Sequence, residues 1–279
     1  MTTDKTQAWL EGWNETIFPD VPLGQCGDGT FVGAFRQRVL SSAFQPIVST
    51  VDGATVAHSA RTRSELDGRE EPPADVFALA GSDPLVVQFD RSARTLHVLN
   101  YHTGTRAMGR LFLRVQSRLV ESVGSGHGRV FEGILGRLGV LTKDVVIQLP
   151  RHANEDPALY ARALLSYRSL GYRVATECLD LLDPLLDGGY EVMPDIMVVD
   201  PRSHPDRETL PRLIGRIRER GTTALVHRIE TAAQLSAAIA AGADLLQGYF
   251  LGRPARRPEA PALDPSLLVR SVDRSESLS

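Results

Sequence analysis

The sequence predicts an α/β fold, either a (β/α) barrel or a doubly wound parallel sheet. Three observations carry this. The run Asp144-Val-Val-Ile-Gln-Leu149 reads as a strand buried on both faces, as parallel sheets require. From Thr142 onward, short β-rich runs alternate with helical patterns, and repeated β-then-α units imply right-handed crossovers. At 279 residues, the chain matches one α/β barrel with short extensions.

Taken in order, Asp156-Pro157 opens a helix whose stripe is Leu159, Ala163, Leu164, Tyr167 and Leu170, with Gly171 as its stop. Tyr172 to Thr176 is the next strand. Asp195-Ile-Met-Val-Val-Asp200 is another, followed by a helix marked by Leu210, Leu213, Ile214 and Ile217 and ended by Gly221. Thr222 to His227 is a strand, Thr231 caps the helix Ala232 to Ala241, and Asp244 to Gln247 enters the last strand. The first half has weaker patterning.

The flanks differ in kind. Residues 1–34 form an N-terminal extension in which Trp9, Leu10, Trp13, Ile17 and Phe18 have the spacing of an amphipathic helix. That helix either packs on its own barrel or offers Trp9 and Trp13 as a partner or homodimer surface. The barrel is expected over 35–256. The tail 257–279 is rich in proline, arginine and serine and reads as partly mobile, with Leu267 to Val269 able to dock.

Composition excludes several classes. A net charge of −3 gives no general bias toward nucleic-acid polymers. No apolar run approaches eighteen residues, and Met1 to Leu10 lacks the basic-then-apolar order of a secretory signal, so a cytoplasmic protein off the membrane is expected. Cys26 and Cys178 are too few for a disulfide framework and read as reduced thiols.

In a barrel, functional side chains sit where strands end. That rule selects Gln148, Thr176 to Cys178, Val198 to Asp200, His227 and Gln247, with Ser59 and Arg114 from the weaker half. The set has few carboxylates beside Arg61, Arg63, Arg114 and Arg151, and is poor in hard ligands for divalent cations.

Four motifs occur in order. Phe44-Gln-Pro-Ile-Val48 is followed by Asp52-Gly53 and, ten residues after that glycine, Arg63; Ile229-Glu-Thr231 precedes Gln234; Gln247-Gly-Tyr249 precedes Arg253-Pro254; and Gly171 and Asp200 are spaced to match. Over roughly residues 40–255 the chain resembles the EAL-domain family. The resemblance implies a TIM-like (β/α)8 barrel with one reversed strand, and a two-metal phosphodiesterase that cuts cyclic di-GMP to linear pGpG using Mg²⁺ or Mn²⁺. Yet the family's metal and base positions fall at Ser59, Arg114, Gln148, Glu177, Cys178, Val198 and His227, while Gln247, Glu230 and Asp200 survive. Those replacements imply a degenerate site, no enzyme activity, and no metal or other cofactor. A zinc site rebuilt from Glu177, Cys178 and His227 would be short of ligands and would face Arg114.

Two readings follow. In the first, the barrel is a catalytically inactive regulator in cyclic di-GMP-related signalling that acts on a protein partner. In the second, it is a metal-independent cyclic di-GMP receptor using Gln45, Arg63, Asp90, Arg114 and Gln247, since arginine can hold a phosphodiester without a metal. Arg61 in place of a family leucine and Asp180 in place of a glycine tilt the balance to the first. A slow phosphodiesterase with atypical metals is the weakest alternative.

Overall fold

A tight turn decides the topology. β3 (Arg38–Ser49) and β4 (Thr55–Leu66) are joined through Gly53, whose φ of +72° suits glycine and whose missing Cβ leaves room for the Leu263 carbonyl. So short a connection can only make an antiparallel pair. The later strands follow longer connections and run parallel: β6 (Arg110–Arg114), β7 (Val145–Gln148), β8 (Arg173–Cys178), β9 (Ile196–Val199), β10 (Thr223–Val226) and β11 (Leu245–Leu246). The ring β3-β4-β6-β7-β8-β9-β10-β11 closes when β11 pairs antiparallel with β3. It is a closed eight-stranded barrel with one reversed strand. This computed structural model describes residues 3–102, 109–122, 128–151, 156–190, 192–203 and 208–264.

Local signals start the helices where the sequence places them. The Asp156 carboxylate accepts the Ala158 and Leu159 N–H groups, each at 3.0 Å, at the start of α6 (Pro157–Ser169). Thr231 and Gln234 form a reciprocal capping box on α8 (Ala232–Ala240). α7 (Thr209–Glu219) buries Leu210, Leu213, Ile214 and Ile217. The remaining helices are α1 (Thr3–Thr16), α2 (Pro73–Ala78), α3 (Asp83–His102), α4 (Ser117–Ser122) and α5 (Arg129–Leu138). No helix among the described residues is long and apolar enough to cross a membrane.

The expected boundary at residue 34 cuts a strand. β3 and β4 overshoot the ring. β2 (Phe31–Phe35) adds to β3 and carries β1 (Leu23–Gln25), while β5 (Arg69–Glu71) adds to β4. The N-terminal residues therefore continue the barrel sheet. Asn14 ties α1 to it by donating to the Leu23 carbonyl and accepting the Leu23 N–H, both at 2.8 Å. Trp13 is 2% exposed, in a core with Leu10 and Phe18, and Trp9 packs on it with ring centroids 6.3 Å apart. Trp13 is thereby removed from the expected partner surface, because it is buried in the chain's own core, while Trp9 is only partly covered.

The tail is also partly fixed. Ala255 exchanges two backbone hydrogen bonds with Phe44, His58 Nε2 lies 2.7 Å from the Glu259 carbonyl, and the Leu263 N–H donates to Gly53 at 2.9 Å. Residues 255–264 form a strap over the β3–β4 wall; Leu267 to Val269 lie outside the described residues.

Trp13→Ala should lower stability by about 3–5 kcal/mol, the usual cost of emptying an aromatic site. Denaturant unfolding measures this. An unchanged midpoint with an altered assembly state would contradict the packing role.

Candidate functional site at the barrel mouth

Side chains alternate along a strand, so the barrel's inner plug fixes what stands above it. The plug is Ile47, Ala57, Phe112, Val146, Ala175, Ile196, Val198 and Leu225, with Leu245 against it. Two residues further toward the mouth on their own strands stand Gln45, Ser59, Arg114, Gln148, Glu177, His227 and Gln247. Arg61 follows Ser59 at the rim, and Asp200 follows Val198. Seven of the positions selected from sequence therefore share one opening, because their strands all present the same pleat to the axis.

Val198 and Cys178 fall elsewhere. Val198 is part of the plug and 2% exposed. Cys178 is one residue out of phase with Glu177, so it points into the outer core. Burial, then the nearby Asp183 and Asp180, raise its thiol pKa far above the ordinary value. A metal site combining Cys178 with Glu177 and His227 is thereby ruled out by the pleat.

The mouth is internally bonded. Gln247 Nε2 lies 2.7 Å from Ser59 Oγ and 3.5 Å from the Gln45 carbonyl. Gln45 donates to the Gly252 carbonyl at 3.0 Å and accepts from Arg61 Nη2 at 3.0 Å. Arg114 pairs with Glu177. Asp200 accepts the Arg202 backbone N–H at 3.0 Å and its guanidinium at 3.1 and 2.9 Å, and Arg228 Nε lies 3.6 Å away. Burial raises the Asp200 pKa, but the Arg202 hydrogen bonds outweigh it and the net shift is downward. Gly248 is required between Gln247 and Tyr249, since a Cβ there would sit 2.0 Å from the Ile229 carbonyl oxygen.

Charge at the mouth is mostly positive. Burial, opposed by Asp200 and reinforced by Arg228, Arg114 and Arg61, pushes His227 down to about 4. Burial likewise lowers the pKa of Arg61; Tyr249 opposes this, and Arg114 and Arg228 add to it. Sequence reading missed Arg202 and Arg228. Their signal was their place just beyond the ends of β9 and β10, in the βα-loops.

Two further candidates lie away from the opening. Arg63 is on the overshoot of β4, with Nε 3.2 Å from Glu70 of β5. Asp90, 2% exposed on α3, pairs with Arg94 and accepts the Gln116 N–H at 3.1 Å, so it anchors the loop after β6 from behind. A ligand contact by Asp90 is corrected accordingly: its carboxylate is committed to the helix layer.

Among the described residues, no three His, Cys, Asp or Glu side chains gather as a metal group. The donor set does not fit a pair of hard divalent cations. Glu177 is occupied by Arg114, Asp200 by Arg202, and the remaining inward groups are amides, a hydroxyl and a neutral imidazole.

His227 and the buried His97, which burial pushes down to about 3, stay neutral in the fold against an ordinary value of 6.5. Below that value the unfolded chain binds more protons, so stability, complete above pH 6.5, should fall as pH drops through 6.5 toward 4 and 3. Urea midpoints across this range test the sign. His227→Gln should flatten part of the slope, and a midpoint that rises on acidification would contradict the assignment.

No protein-family model and no curated protein sequence matches the chain. Solved structures do. The Bacillus subtilis YkuI protein, with an EAL domain and in complex with cyclic di-GMP and calcium, matches at a TM-score of 0.70 and 19% identity, covering 85% of this chain and 61% of that one. This chain therefore spans under two thirds of YkuI. The FimX EAL domain of Pseudomonas aeruginosa bound to cyclic di-GMP matches at 0.66 and 20% identity, covering 78% and 91%. A standalone EAL protein of Vibrio cholerae, also with cyclic di-GMP bound, matches at 0.66 and 19%, covering 82% and 97%. With the eight-stranded ring, its reversed strand and these likenesses, the chain has the fold of EAL domains.

Proposed function

We propose that this chain is a catalytically inactive EAL-fold regulator in cyclic di-GMP-related signalling, acting through contact with a protein partner. The observation that carries the reading is the pairing of the mouth's carboxylates with arginine. Two-metal phosphodiester hydrolysis needs hard oxygen ligands around the attacked phosphorus. Here Arg114 holds Glu177, Arg202 and Arg228 hold Asp200, and Ser59 and Gln148 offer only neutral oxygens. His227, with a pKa near 4, is too weak a base to deprotonate water without a metal. Cyclic di-GMP enters because it is the molecule bound in the structural neighbours.

One observation favours a second reading, that of a metal-independent cyclic di-GMP receptor. Arg61 reaches the rim with no carboxylate partner among the described residues, and a guanidinium can hold a phosphodiester unaided. Under that reading, calorimetry with cyclic di-GMP gives heat without Mg²⁺, binding weakens as salt rises, and Arg61→Leu costs about 1.5–3 kcal/mol.

For the regulator reading, incubation with cyclic di-GMP and Mg²⁺ or Mn²⁺ should yield no linear product by chromatography. Ser59→Glu should not restore turnover, because one carboxylate cannot replace a set that acts as a unit. Hydrolysis abolished by a chelator would overturn it.

A further inference from the structure

On the β3–β4–β11 side of the mouth the polar groups of the floor bond to one another, whereas the rim above them carries unmatched charge. Gln45 is committed to Gly252 and Arg61, and Gln247 to Ser59. Above them Tyr249 and Phe250, consecutive in sequence, are 48% and 46% exposed. The Arg253 guanidinium lies 5.1 Å from the centroid of the Tyr249 ring, and Arg61 is tied to the same loop through Gln45, which bonds the Gly252 carbonyl. Arg114 and Arg228 face Glu177 and Asp200, whereas Arg61 and Arg253 face no carboxylate among the described residues. The rim thus has unmatched positive charge on a chain whose net charge is −3.

Exposed tyrosine, phenylalanine and arginine side by side are the residue types that concentrate binding energy at protein interfaces. Elsewhere the large exposed apolar side chains, such as Val51, Leu141 and Leu165, stand far apart in sequence on different elements, as is ordinary for a surface. Positive charge beside the aromatic pair selects an anionic partner and speeds its approach.

We infer that this rim is the partner-docking surface, and that it takes an acidic segment of another protein. The segment's carboxylates meet Arg61 and Arg253, and an apolar side chain of the segment lies on Tyr249 and Phe250. This rests on the regulator reading and names the face and the partner chemistry it leaves open. An extended segment suits the rim, because Gln45, Ser59 and Gln247 directly beneath it are already bonded to each other.

The test uses the full chain with the photo-crosslinker p-benzoylphenylalanine at position 250, and in a second preparation at position 51. Val51 is 89% exposed in the β3–β4 turn, at the opposite end of the barrel. Irradiation in cells of the source organism should give a protein adduct at 250 and not at 51, and mass spectrometry should place it on a segment dominated by Asp and Glu. Arg61→Glu, and separately Arg253→Ala, should cut the adduct yield at least about tenfold while circular dichroism stays unchanged. If Arg61→Glu fails to fold, Arg61→Leu with Arg253→Ala carries the test. An adduct at 51 alone overturns the docking face and leaves the regulator reading standing. An adduct at 250 on a neutral or basic segment, or one indifferent to both arginine changes, overturns the acidic partner. No adduct at either position, with cyclic di-GMP protecting 250 from labelling by a diazirine probe, overturns the proposal in favour of a nucleotide site and withdraws the protein-contact reading with it.

Discussion

A closed barrel needs its first and last strands to bond, and here that seam is very short. β11 contributes two residues, Leu245 opposite Ser49 and Leu246 opposite Val48. Because β3 is turned back by the Gly53 hairpin, the seam is antiparallel, and the chain leaving β11 emerges beside the start of β3 inside the ring. It is reinforced there by Gln45 on Gly252, the Phe44–Ala255 bridge and the strap ending at Leu263. Thr50 adds bonds to the Ala243 and Asp244 carbonyls at the other end. The meeting of the opening and closing motifs is thus a closure device first. It also sets Ser59, Gln45 and Gln247 in one hydrogen-bonded cluster, so the architecture of the mouth depends on the seam.

The apolar plug then separates two environments. Below it Asp195 and Asp244 accept the Val174 and Ala224 N–H groups and so serve the strands themselves. Above it each strand offers one inward side chain before its loop begins, and chemistry is decided by which types occupy those places. Carboxylates there would repel one another and call for cations. Arginines among them neutralise the few acids present and leave excess positive charge, which adds to burial, the larger cause, in keeping His227 neutral against the pull of Asp200. The same scaffold can therefore support opposite electrostatics with little change in backbone.

The helix layer shows a different use of polar groups. α3 buries Asp90, Ser92, Arg94, Thr95 and His97. His97 lies 2.8 Å from Ser42 Oγ and 3.2 Å from Thr62 Oγ1, so it links the helix to both overshooting strands. Asn100 donates to the Phe31 carbonyl and accepts the Phe31 N–H, holding the N-terminal sheet extension to the same helix. Hydrogen bonding at these positions satisfies buried donors and acceptors that would otherwise be costly. It also explains how the sheet extension β1 and β2 is held against the helix layer.

The sequence alone determined the parallel half of the barrel, because strands such as Ile196–Val199 are buried on both faces and so read as continuous apolar runs, and Asp156, Thr231 and the stop glycines punctuate the helices locally. It also determined which strand-end positions face the mouth, since the period of two makes Ser59, Arg114, Glu177 and His227 inward-facing once a barrel is assumed. Only the tertiary structure decided the rest. α3 was not legible, because its buried His97 and Asp90 find their partners in Ser42, Thr62 and Gln116, distant in sequence, and this masks its buried face. Trp13 could be assigned to the core only once α1 was tied to β1 through Asn14. Cys178 and Asp90 left the candidate site for the same physical reason: a side chain's neighbours depend on the pleat and on long-range packing, and neither is written in the spacing of the residues around it.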